Sequence, residues 1–189
     1  MDTAQAQPRR WTRAEYDQLV GWGFFQDERL ELLDGEIVTM TPQRSPHATA
    51  VIKGQKALEQ AFGVGYMVRP QLPLATDPLS EPEPDLAVVP GEPDDYPEHP
   101  ISANLVVEIA DSSLRLDRQR KGPLYARAGI ADYWIVNLVD RVVEVYREPV
   151  EGAEGWHYRL IRAYTPGESV APLTKPDHAV AISDMLPKS

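Results

Sequence analysis

The sequence predicts one mixed α/β (α+β) domain, and three observations carry that prediction. With 189 residues of which 42% are apolar, the chain can bury one good core and little else. Segments of helical and of strand periodicity interleave along its length. No internal repeat and no linker divides it.

Residues 1–10 are expected to be a flexible tail and residues 11–189 the domain. Thr12 followed by Glu15 has the spacing of a capping box, which predicts a helix over about 13–22 ending near Gly23. Leu30 to Met40 reads as two strands around Asp34-Gly35, a hairpin signal. Glu31 stands there between two leucines and, read by itself, is an exposed strand carboxylate. Ser45-Pro46 predicts a helix start, with Val51, Ile52, Leu58 and Phe62 as its core face through Ala61. His47 lies in its first turn, where a surface histidine is the ordinary case. Following strands can nevertheless bring it beside Glu31.

Tyr66 to Ala75 reads as an edge or bulged strand interrupted by Pro70 and Pro73, with Gln71 as a lining or an exposed residue. Asp85 to Val89 is a short strand, and residues 91–100 form an acidic, proline-rich loop. Asn104 to Ile109 is an apolar, β-branched run that carries Glu108 in its middle. An unpaired carboxylate inside such a strand costs several kcal/mol, so a cation, a metal ion or an opening to solvent is required nearby. Beyond Ser113 the pattern is helical and puts Lys121 and Tyr125 four residues apart on one face, with a kink expected at Gly122-Pro123 and a stop at Gly129. Tyr133 to Asn137 and Val142 to Arg147 read as a hairpin, and 156–164 and 179–182 as further strands. Asp184 is expected to cap a terminal turn.

Composition narrows the chemistry. The chain has no cysteine, which excludes disulfides and thiolate metal sites and leaves carboxylates and histidine for hard cations such as magnesium or manganese. No apolar run approaches the ~20 residues of a membrane span, and the first residues lack the apolar centre of a signal peptide, so a cytoplasmic address and no membrane contact are expected. A net charge of -10 argues against broad nucleic-acid binding. Yet Arg115, Arg118, Arg120, Lys121 and Arg127 form a local basic run, either a small nucleic-acid surface or a solvated helix face.

Asp85 and Glu108 stand on strands separated by a single loop, and consecutive strands usually pair. Two carboxylates fixed on adjacent strands suit a divalent ion that keeps sites open for water and a phosphate oxygen. A lysine beside them orients water and offsets developing negative charge. Spacing alone is a modest signal. There is no Gly-rich phosphate loop and no recognisable Ser-His-Asp or paired-histidine motif.

Five blocks in order add specificity: ELLDGEIVTM (31–40), SPHATAV (45–51), EPEPDLAVV (81–89), LVVEIADSS (105–113) and RKGPLYARAGIADYWIVNL (120–138). With them the chain resembles the Uma-two family of restriction-endonuclease-like proteins, within the PD-(D/E)XK nuclease superfamily. The resemblance implies a central mixed sheet flanked by helices with added hairpins, a Mg2+ or Mn2+ site, and DNA as substrate. It maps the proline-aspartate motif to Pro84-Asp85 and the second acidic residue to Glu108, both as metal ligands. The superfamily lysine two residues further on is here Ala110, and the family pattern puts Lys121 in its role. Glu31 then becomes a site residue, and His47, Gln71 and Tyr125 pocket residues. By analogy with nucleases that cut both strands, a homodimer is expected. The alternatives are a nuclease-fold module that binds DNA or a protein without turnover, and a hydrolase of smaller phosphate compounds.

Overall fold

The computed structural model describes residues 7–40 and 42–188. Of the expected tail, residues 1–6 lie outside the described residues, while Arg9 pairs with Glu15. Helix α1 (Arg13–Gly21) has the expected capping box between Thr12 and Glu15. The hairpin β1 (Leu30–Leu33) and β2 (Glu36–Thr39) turns on Asp34 and Gly35, both at positive φ (51° and 78°), as a two-residue turn matched to strand twist demands.

Helix α2 (Ser45–Phe62) begins at its expected cap residue: Arg44, one residue earlier, is the N-cap, and Pro46 lies in the first turn. Its buried residues are Ala50, Val51, Gly54, Leu58, Ala61 and Phe62, whereas Ile52, expected in the core, is exposed. The inward stripe runs through 51, 54, 58 and 61, and position 52 falls about 100° away from 51. Gly54 permits the close approach to the sheet, since a Cβ there would lie 3.0 Å from Leu86 Cδ1.

A six-stranded sheet follows, in the order β3 (Tyr66–Pro70), β4 (Leu86–Pro90), β5 (Leu105–Ala110), β6 (Asp132–Asn137), β7 (Val142–Gly152) and β8 (Gly155–Tyr164). All neighbours are antiparallel except β5 and β6. Parallel pairing needs a crossover, and the helical segment 114–127 provides it. That segment is α3 (Leu114–Leu116), a π-helical turn (Asp117–Lys121) and α4 (Gly122–Arg127). In place of a kink at Gly122-Pro123 the chain widens one turn earlier, with the Gly122 N–H bonded to the Asp117 carbonyl five residues back. Pro123 has no N–H to continue the regular ladder and its ring crowds the carbonyl before it, which accounts for the wider turn. A short pair, β9 (Ser169–Val170) with β10 (Val180–Ala181), precedes a final 3₁₀ turn over Ile182–Asp184; β9 has no counterpart among the strands read from the sequence.

Alternation along β5 sorts its residues. Leu105, Val107 and Ile109 join the core under α2, while Val106 and Ala110 join the tyrosine-rich core under α4. Glu108 therefore shares a face with Ala110 and the α4 side. The first hairpin is drawn over the same region by mutual backbone bonds between Leu32 and Glu81.

Candidate metal and phosphodiester site

The last registered pair of β4 and β5 is Leu86 with Val107, and one step beyond it come Asp85 and Glu108. The expected adjacency of the two carboxylates therefore holds. Asp85 Oδ2 accepts the Ile109 N–H at 2.8 Å and His47 Nε2 at 3.2 Å, and Oδ1 accepts the Gln71 amide at 3.3 Å. His47 thus reaches Asp85 and not Glu31. Glu108 Oε1 accepts two bonds, from Lys121 Nζ at 3.0 Å and from the Tyr125 hydroxyl at 2.7 Å. Lys121 closes the π turn and Tyr125 lies one turn further, so both project onto the same carboxylate. Lys121 Nζ also lies 2.9 Å from Glu31 Oε2, and that oxygen takes the Glu83 N–H as well.

Glu31, Glu108 and Lys121 are all buried. Burial drives the Glu108 carboxyl well above its ordinary pKa, although the Lys121 charge opposes the rise. Burial works against the charge on Lys121, but Glu108, Glu31 and Asp117 outweigh it and hold the ammonium above the usual lysine range. Burial likewise disfavours a charged His47, yet the bond and the charge of Asp85 raise its pKa on balance. His47 Nδ1 is buried and has no partner among the described residues.

These groups surround a cavity of about 120 Å³. Gln71 and Tyr125 bond its carboxylates without lining it; Tyr125 approaches Glu108 from the core. Three lining carboxylates, Glu83, Asp111 and Asp117, are not among the site residues the sequence offers. Asp117 is 2% exposed, accepts the Ser113 hydroxyl, and is pushed by burial up to about 6, with Lys121 pulling the other way. The signal was present: Asp117 precedes Lys121 by four residues, the spacing that made Tyr125 noticeable.

The basic run does not form a free surface. Arg118 forks onto Glu144, Arg120 bonds Glu36 and the Leu33 carbonyl, and Arg127 bridges Asp34 and Asp77. Of the five residues, Arg115 alone bonds no acid among the described residues, where it reaches Gln119.

Among the described residues no three His, Asp or Glu side chains converge as a ready metal cage. The donor set still fits a hard cation. Both bonds to Glu108 fall on Oε1, nothing among the described residues bonds Oε2, and Asp85 Oδ1 is held only by a long amide bond. Lys121 meanwhile supplies the cationic charge between Glu108 and Glu31.

A mixed sheet with helices on both faces, and two carboxylates at adjacent strand ends beside a buried lysine, place the protein in the restriction-endonuclease-like class. Among solved structures it is similar in fold to one described as a "putative nuclease belonging to DUF820" from Anabaena variabilis ATCC 29413, with a TM-score of 0.72 and 14% identity over 92% of this chain and 96% of that one. The chain belongs to the Uma2 family, whose description is "Putative restriction endonuclease" and whose family model matches residues 13–182. No curated protein matches it.

Proposed function

We propose that the protein is a divalent-metal-dependent DNA endonuclease, with Asp85 and Glu108 holding Mg2+ or Mn2+. The observation that carries this reading is the Lys121 ammonium, 3.0 Å from Glu108 and 2.9 Å from Glu31 in the cavity that Asp85 also lines. When bound, the ion supplies Lewis-acid polarisation of the phosphodiester. Lys121 takes the role of the superfamily lysine, whose own position is here Ala110. Because its pKa is raised, it keeps its proton, orients water and offsets the charge that grows on the phosphate, rather than acting as a base. Glu31 holds the ammonium in place from the opposite side. His47 and Gln71 fix the Asp85 carboxylate.

The test is cleavage of supercoiled and linear DNA with Mg2+ or Mn2+, paired with calorimetric titration of each ion. Product from the wild type, lost in Asp85→Asn together with metal affinity, is the expected result. No cleavage of any DNA form, with metal affinity unchanged in Asp85→Ala, would sink it. We further propose a cytoplasmic homodimer, which equilibrium sedimentation checks.

A second reading has its own support. Ala110 is packed in the core, and burial favours the neutral form of Glu108. A nuclease-fold module without turnover would bind DNA or a protein partner, retain that binding in Glu108→Gln, and give no product at any metal concentration.

A further inference from the structure

Of the arginines that the sequence offers for nucleic acid, Arg118, Arg120 and Arg127 are already occupied within the fold, yet the cavity mouth has two basic side chains of its own. Arg29 and Arg44 both line it and both are exposed. Arg44 has no ion-pair partner among the described residues. Arg29 has one, Glu83, at 3.8 Å, beyond hydrogen-bond length, with the Arg29 side chain 45% exposed. The two are held close to one rim by local structure. The Met40 N–H bonds the Arg29 carbonyl at the open end of the hairpin, and Arg44 is the N-cap of α2 four residues on.

The cavity's interior has the opposite character. Asp85, Glu108, Asp111 and Asp117 line it, and an acidic floor repels a phosphate unless cations stand at the entrance. The start of α2 adds to the rim in the same sense. It has no side-chain cap bond and no acidic residue in its first turn, so the partial positive charge of an 18-residue helix is not offset there.

We propose that Arg29 and Arg44 are the residues that position the phosphate backbone of duplex DNA at the mouth of the site, and that the arginines of residues 118–127 are structural. This rests on the nuclease reading above. It reassigns the nucleic-acid surface from the crossover helix to the junction between the first hairpin and α2. An exposed arginine held by no strong partner can turn to a phosphate with little loss. Arg120 and Arg127 would first have to release carboxylates of the hairpin that carries Glu31.

The experiment is duplex DNA binding by the full chain, measured over a series of salt concentrations in calcium-containing buffer, with product checked in parallel. Each phosphate contact contributes about 0.9 to the slope of log affinity against log salt. Arg29→Ala and Arg44→Ala should each lower that slope by about 1, and together by about 2, with a uniform loss of affinity across DNA sequences. Arg44→Lys, which keeps the charge, should retain the slope. Arg127→Ala should leave it unchanged. A wild type that binds DNA with a slope indifferent to Arg29→Ala and Arg44→Ala overturns this inference alone. A wild type that binds no DNA overturns the nuclease reading and this inference with it.

Discussion

Lys121 and Glu108, thirteen positions apart, form a buried ion pair at 3.0 Å across the gap between the crossover helix and the sheet. Removing one member of such a pair strands the other charge, at a cost of about 3–5 kcal/mol. Lys121→Met should therefore abolish cleavage and also destabilise the fold. The second effect depends on pH. Without the ammonium the Glu108 pKa rises further. A carboxyl whose pKa is raised by folding costs nothing where it is protonated in both states, and costs stability as pH climbs through its unfolded value and beyond. Urea unfolding should show a larger loss for Lys121→Met at pH 8 than at pH 5; an equal loss at both would refute the stranded-carboxylate account.

What the sequence made legible here is what short-range rules govern. The capping box at Thr12, the turn at Asp34-Gly35 and the edge placement of the proline-ended β3 each follow from a few neighbouring residues. Asp85 beside Glu108 was also readable, because consecutive strands pair. The fate of the arginines was not, since Glu36, Asp34, Asp77 and Glu144 lie between 26 and 93 positions from the guanidinium groups they take. The same holds for His47, whose partner is fixed by where α2 packs, and for Glu31, whose burial depends on the bridge from Leu32 to Glu81. Composition registers such residues as surface charge; only the tertiary fold makes them internal.

Asp117 offers a test in which stability rises. Its carboxyl goes from 3.8 to about 6 on folding, chiefly through burial. Well below its unfolded value of 3.8 it is protonated folded or unfolded and costs nothing. Between about pH 4 and 6 the unfolded chain ionises first and stability is lost, on the order of 3 kcal/mol once both states are ionised. Asp117→Asn keeps an acceptor for the Ser113 hydroxyl and removes the titration. Its melting temperature should exceed that of the wild type at pH 7.5 and converge on it near pH 3.5.

Arg127 ties the end of the crossover helix to the first hairpin through Asp34 and to the loop through Asp77. All three side chains are partly exposed, so solvent and salt screen the interaction. Arg127→Ala should cost about 1 kcal/mol in dilute buffer and much less in 1 M salt. A loss that persists undiminished in high salt would show that the side chain acts by packing and not by charge.

Ala110 decides whether the lysine could simply be returned to its superfamily position. It is fully buried with Leu33, Tyr125 and Tyr133 in the core under α4, on the same face of β5 as Glu108. A lysine there must push a four-carbon stem into a packed cluster and find a partner for its charge, while Lys121 already occupies Glu108. Overpacking alone costs typically about 1–3 kcal/mol. Ala110→Lys should lower the melting temperature, and the double variant Ala110→Lys with Lys121→Ala should recover less than a tenth of wild-type cleavage. The reason is geometric: Lys121 is held from two sides, by Glu108 and by Glu31 of the first hairpin, and a lysine rising from β5 inherits only the neighbour two residues before it. Full recovery in the double variant would mean that the two positions deliver an ammonium to the same place, and that Glu31 is dispensable for holding it.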